Sequence, residues 1–230
     1  MTLASCDSRK TAGENPFFTE WDTPHGVPPF DKILPEHFMP AFERGMSLHE
    51  AEIDAITSNK DEATFENTIL AYDDAGQMLA QTELVFGMLC AAETNDRMQA
   101  LQEQAMPLLA AHRDKIRLDD KLFVRVKEVY DRRAALGLDA EQMRLLQKTY
   151  DSFVRAGALL DAEQKARLKE INGQLSLTAV KFGNNILAEN NNFVLELKSD
   201  ELDGLPAGIR DAAREKAQQM GKGDKWVFTL

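Results

Sequence analysis

The stretch 139-DAEQMRLLQKTYDSFVRAGALLDAEQKARLKEINGQLSLTAVKFGNNILAENNN-192 decides the fold. Asp139 with Gln142, and Asp161 with Gln164, repeat one spacing. In each pair the acid can accept the backbone N–H three residues on, and the glutamine can reach back to the acid's own N–H. Two helices therefore open here, one over 139–158 and one over 161–192. The second carries Leu168, Ile171, Leu175, Phe182 and Ile186 at helical steps and runs out into Asn190, Asn191 and Asn192.

Four more helices are expected on the N-terminal side. Residues 35–59 place Phe38, Phe42, Met46, Ile53 and Ile56 on one face, with Pro35 suited to a first turn and Pro40 blurring the start. Residues 64–93 carry Ile69, Tyr72, Leu79, Val85, Phe86 and Leu89. Gly76 and Gly87 lie inside that pattern, each costing about 1 kcal/mol relative to alanine, so close packing against a neighbour is expected at both. A third helix, capped by Thr94 and reaching 118, has Met98, Leu101, Ala105, Leu108, Leu109, His112 and Ile116 on its apolar side, with a kink expected at Pro107. A fourth, 119–136, carries Leu122, Phe123, Val126, Val129 and Tyr130 and stops at Gly137.

Outside the helices the pattern changes. Residues 15–35 hold five prolines together with Phe17, Phe18, Trp21, Phe30, Ile33 and Leu34. Proline forbids long helices and this apolar content is costly in water, so the segment should lie as an extended strap on the helical body. After 192, residues 193–198 and 226–230 read as strands around a helix over 209–220. The organisation is thus all-α: a tether over 1–15, a multi-helix bundle with a proline-rich strap over 16–192, and a small strand-helix-strand element over 193–230. The last strand, without a turn or polar tail after it, reads as cut.

Composition excludes several classes. Hydrophobic residues at 43% and charged residues at 28% describe an ordinary globular chain, and no apolar run approaches the roughly 20 residues that span a bilayer. The net charge of −11, from 38 acidic against 27 scattered basic residues, opposes phosphate binding and argues against a nucleic-acid partner. Two cysteines, Cys6 and Cys90, make a disulfide framework untenable. Leu3-Ala4-Ser5-Cys6 does match the small-residue pattern before a lipidated cysteine, although only Met1 and Thr2 precede it. Lipidation of Cys6 would make this a periplasmic or membrane-anchored lipoprotein; without it the chain would be cytoplasmic.

No catalytic, cofactor-binding or metal-ligating residue is assigned. The nearest approach to a zinc helix is His49-Glu50-Ala51-Glu52-Ile53, where Ile53 stands in place of the second histidine. His37 is twelve residues before His49, too many turns away to share a metal with it, and His25, His37, His49 and His112 all read as solvated or core residues. Cys90 lies between Leu89 and Ala91 and reads as a small buried apolar group. Gly221-Lys222-Gly223-Asp224-Lys225 precedes a strand rather than opening a helix, and so reads as a turn rather than a phosphate loop. Glu66, Asp73, Asp74, Glu83 and Glu93 are irregularly spaced acids of a solvated face.

Several fragments nevertheless occur in a recognisable order: Asn15-Pro16-Phe17, Pro28-Pro29-Phe30-Asp31-Lys32-Ile33, Pro40-Ala41-Phe42-Glu43, Thr64-Phe65-Glu66-Asn67-Thr68, Phe153-Val154-Arg155-Ala156-Gly157-Ala158, Lys165-Ala166-Arg167-Leu168, Lys181-Phe182-Gly183-Asn184-Asn185 and Trp226-Val227-Phe228-Thr229-Leu230. In that order they resemble the N-terminal region of the Dcp-type bacterial peptidyl-dipeptidases, within the thimet oligopeptidase and oligopeptidase A family of zinc metallopeptidases. The resemblance implies a two-lobed, mostly helical enzyme that cleaves short peptides in a deep channel, with zinc on a His-Glu-x-x-His helix and a later glutamate. Those elements lie beyond the resembling region. This chain would then be a non-catalytic part of the channel wall, inactive alone, with the missing catalytic lobe of the same polypeptide as its partner. Zinc would belong to the full-length parent and not to this chain. A stand-alone helical binding or scaffold protein derived from the family is the alternative.

Overall fold

The computed structural model describes residues 14–230; the expected tether and Cys6 lie outside the described residues apart from its last two positions. The chain is mostly helical with one two-stranded sheet, and it divides between Leu177 and Thr178 into two compact units.

The first unit opens with the strap, which is wound into short 3-10 turns at Pro16–Phe18, Pro24–Gly26 and Pro35–His37 rather than fully extended. Asn15 fastens its start: the side chain accepts Phe17 N–H at 3.1 Å and donates to the His37 carbonyl at 2.8 Å. Trp21 Nε1 donates to the Pro16 carbonyl at 2.8 Å, and Phe17 is buried against Phe38, ring centroids 5.4 Å apart.

Helix α1 (Phe38–Ser58) follows. The single helix expected over 64–93 is instead broken. A stretch of wide π-turns (Phe65–Leu70) runs into α2 (Ala71–Asp74), and α3 (Gln77–Ala92) starts afresh after Gly76. The cause is Gly76, whose φ of +77° belongs to the left-handed region where only glycine is unstrained. A methyl group there would meet the His49 ring at 2.9 Å, so packing against a neighbour is real at this glycine. At Gly87 the expected neighbour is missing, and a methyl group on it would find nothing within 4 Å. Helix α4 (Asp96–Arg117) is capped by Asn95 rather than Thr94, its side chain accepting from Arg97 and Met98 N–H at 3.1 Å, and continues through Pro107. Helix α5 (Asp120–Asp131) stops before the expected 136, leaving a 3-10 turn ahead of Gly137. The two Asp/Gln capping pairs form as read, opening α6 (Ala140–Arg155) and α7 (Ala162–Asn192).

Two apolar clusters fill this unit. One joins Phe17 and Ile33 of the strap with Phe38 and Phe42 of α1, Leu79 and Phe86 of α3, and Leu109 of α4. The other joins Ile53 and Ile56 of α1, Phe65 and Ile69, Ile116 of α4, Leu122 and Val126 of α5, and Phe153 of α6. Burying a side chain of this size is worth about 1.5–3 kcal/mol, so the clusters dominate the unit's stability.

In the second unit, β1 (Leu195–Leu197) and β2 (Trp226–Phe228) pair antiparallel with Glu196 opposite Val227. Helix α8 (Ala207–Gln219) contributes buried Ala213 and Ala217, which with the buried Val227 form its small core, and Arg214 stacks over Trp226 at 4.5 Å. The glycine-rich segment closes a turn whose Lys222 and Lys225 both pair with Glu196. No helix among the described residues is long and apolar enough to cross a membrane.

The two glycines should respond oppositely to alanine. Gly76→Ala should cost about 1–3 kcal/mol through backbone strain and the clash with His49, whereas the exposed Gly87→Ala should add up to about 1 kcal/mol of helix propensity. Urea unfolding midpoints of the two variants check both signs.

Candidate functional site

The polar group that the fold assembles most deliberately lies between α1 and α4. On α1, His49 falls between the residues that serve the two apolar clusters, with Phe42 before it and Ile53 after it. On α4, His112 occupies the matching place between Leu109 and Ile116. The two rings meet at that junction: His112 Nε2 and His49 Nδ1 are 3.0 Å apart, with ring centroids separated by 5.0 Å.

The surroundings choose the tautomer. His112 Nδ1, buried, faces the Glu50 carboxylate at 3.5 Å, too long for a good hydrogen bond but close enough to favour an N–H there over a lone pair. With the proton on Nδ1, His112 Nε2 must accept, and His49 Nδ1–H donates to it. Glu50 is itself held by Lys115 Nζ at 2.8 Å, and this hydrogen bond keeps its carboxyl below the usual glutamate range. Glu52, one turn from His49 on the same helix, accepts Gly76 N–H at 2.7 Å. His49 thus touches α4 on one side and the α2–α3 turn on the other.

Burial lowers the pKa of both imidazoles, and for His49 the neighbouring His112 lowers it further. Glu50 works the other way on His112 without overcoming the burial. The pair is therefore neutral at pH 7. Above it opens a cleft of about 390 Å³ lined by Glu43, Met46, Glu50, Leu108, His112 and Lys115, apolar and charged side chains together. A second hollow of about 450 Å³, largely apolar, lies where the strap crosses α3 and α4, among Phe30, Ile33, Pro35, Met88, Leu89 and Met98.

The other residues weighed for chemistry are dispersed. His25 sits exposed in a turn with φ +61°. His37 is buried and its Nδ1 accepts Leu34 N–H at 3.0 Å. Cys90 is a free, half-buried thiol whose pKa burial pushes up to about 11, leaving it protonated and a poor nucleophile. Glu83, raised by burial, pairs with Arg113 at 3.7 Å. Among the described residues no three His, Cys, Asp or Glu side chains come together to hold a metal, so these residues do not fit a zinc ion. The histidine pair escaped the sequence reading because 63 residues separate its members. The one available signal was His112 standing at an apolar position of its helix.

No protein-family model matches the chain. It is similar to the dipeptidyl carboxypeptidase of Escherichia coli (strain K12), 38% identical over 217 residues, which is 94% of this chain and 32% of that protein. It is likewise similar to the dipeptidyl carboxypeptidase of Salmonella typhimurium, 36% identical over the same share of each. Against oligopeptidase A of Escherichia coli it is 24% identical over 85% of this chain and 29% of the relative. The chain thus spans about a third of the length of the curated relatives it matches. The family resemblance carried by the ordered fragments is borne out over almost the whole chain.

The neutral pair makes stability depend on pH with a definite sign. An unfolded histidine takes up its proton near pH 6.5, whereas the folded pair resists until lower pH, so the unfolded state binds more protons in between. The pair's contribution is complete above about pH 6.5 and is lost as the pH falls from there through the lowered folded values. Wild-type protein should therefore lose stability between pH 7 and pH 5, and His49→Gln should flatten that part of the curve, as read from urea midpoints at each pH. Equal slopes for both proteins would contradict the assignment.

Proposed function

We propose that this chain, an N-terminal region of the dipeptidyl carboxypeptidase and oligopeptidase A family, is a non-catalytic helical part of a zinc peptidyl-dipeptidase. In the parent it forms one wall of the channel in which short peptides are cut. The observation that carries the reading is the 38% identity across 94% of the chain. The polar cluster between α1 and α4 supports it further: a neutral histidine pair locked between two apolar clusters is suited to holding helices in register.

A wall of this kind works by shape. Helices whose faces are fixed by buried aromatic contacts, Phe38 against Phe86 at 4.9 Å and Phe42 against Phe86 at 5.3 Å, do not yield to a bulky substrate. Such rigidity would admit flexible peptides and exclude folded proteins. Zinc, held in the rest of the parent, would supply the activated water, and no residue described here takes part in that step.

The purified 230-residue chain should release no product from a short peptide with zinc present, whereas the polypeptide extended by the gene's downstream sequence should free C-terminal dipeptides and stop when the metal is chelated. Zinc-dependent turnover by the 230 residues alone would overturn the proposal, as would an extended form without peptidase activity.

A further inference from the structure

In the first unit, helix α7 packs by a face that carries Lys165 and Asn172 and leaves much of its apolar side open. Within the first unit, buried Lys165 reaches the Leu118 carbonyl and Asp120, and Asn172 donates to Asp114 at 2.8 Å. Seven residues apart, Lys165 and Asn172 mark one face of the helix. Leu168, between them at i+3 and i−4, is half-buried at the edge of that face, and Ile171 and Leu175, at further steps of three and four, continue away from it. Ile171 and Leu175 are 43% and 62% exposed, as is Leu159 just ahead of the helix at 63%. Leu160, Leu168 and Ile171 line a groove of about 400 Å³ there, with Glu163 and Arg167 at its margin. In the second unit's share of α7, Phe182 and Ile186 are also exposed, at 66% and 46%.

An apolar stripe of this kind is unusual on a finished surface, where large apolar side chains occur singly. Steps of three and four leave gaps in which the side chains of another helix can seat, so a helix suits this stripe. The source of that helix follows from length: the chain spans about a third of its relatives, leaving roughly two thirds of the parent to be packed against something. Of the two charges at the margin, Arg167 is paired with Glu170 at 2.8 Å, and the floor between them is the apolar set Leu160, Leu168 and Ile171, which asks for an apolar partner.

We propose that the stripe of Leu168, Ile171 and Leu175 is the docking face for an amphipathic helix supplied by the part of the parent polypeptide that these 230 residues do not include. The proposal rests on the family reading above. It adds to it the particular surface through which the two parts are joined.

Thiol labelling tests it. In a background with Cys6 and Cys90 changed to alanine, Leu175→Cys is treated with a maleimide in the 230-residue chain and in the full-length polypeptide of the same gene. Ala166→Cys, exposed on the opposite side of α7, serves as the control. Labelling at Leu175→Cys should slow about tenfold or more in the long polypeptide, with the control unchanged. Equal rates at Leu175→Cys overturn the proposal. So does protection in the short chain that disappears on dilution, the sign of a second copy on the stripe, and so does a reading frame that stops at Leu230. Peptide hydrolysis is scored separately: activity with equal labelling leaves the peptidase reading standing and removes this one, while protection without activity does the reverse.

Discussion

The first unit depends on what His49 can touch. Its ring donates to His112 on α4 and fills the space beside Gly76 that any side chain there would need. Glu52, three residues on, accepts the Gly76 N–H. Three segments far apart in sequence are thereby tied at one place, and the tie is directional, which apolar packing is not. Shift α1 by one residue against α4 and both the histidine contact and the glycine turn are lost together.

The two apolar clusters gain their separation from the same place. Along α1 and along α4 the clusters follow one another, Phe42 and Leu109 in one, Ile53 and Ile116 in the other, with the histidines between. A partly buried hydrogen-bonded pair adds little net stability in itself, yet leaving the buried His112 ring without its partner is expensive. Such a pair is better understood as selecting one alignment of the helices than as binding them. Keeping both imidazoles neutral is part of this, since two charges 3.0 Å apart in a partly buried place would repel. The strap then seals the first cluster with Phe17 and Ile33, held by Asn15 and Trp21 rather than by a helix of its own.

Much of this was legible in advance. The capping pairs at Asp139 and Asp161 act over three residues, so their geometry is complete within the segment that encodes it, and both formed. The apolar faces of α1 and of the strand-helix-strand element are likewise local patterns. At the largest departure, a distant residue intervened. Gly76 looked like a weak point inside one long helix and proved to be a break, because His49 and Glu52 reward the left-handed turn. Gly87, judged by the same rule, has no such neighbour and stays inside α3. Asn95 rather than Thr94 capped α4, a choice between adjacent good caps that propensity does not resolve.

By itself, then, the sequence determined the helical class, the starts of most helices, the closing strand pair, and, through ordered fragments spread over almost its whole length, the resemblance to the peptidase family. These follow from periodicity and from hydrogen bonds that close within a few residues. Only the tertiary structure decided that His49 and His112 are hydrogen-bonded to each other, that Glu50 and Lys115 complete their surroundings, and that α7 turns Lys165 and Asn172 toward the body while Ile171 and Leu175 stay in water. The reason is physical: a helix fixes which residues share a face, but which face meets a neighbour depends on how distant helices pack, and no spacing along the chain encodes that.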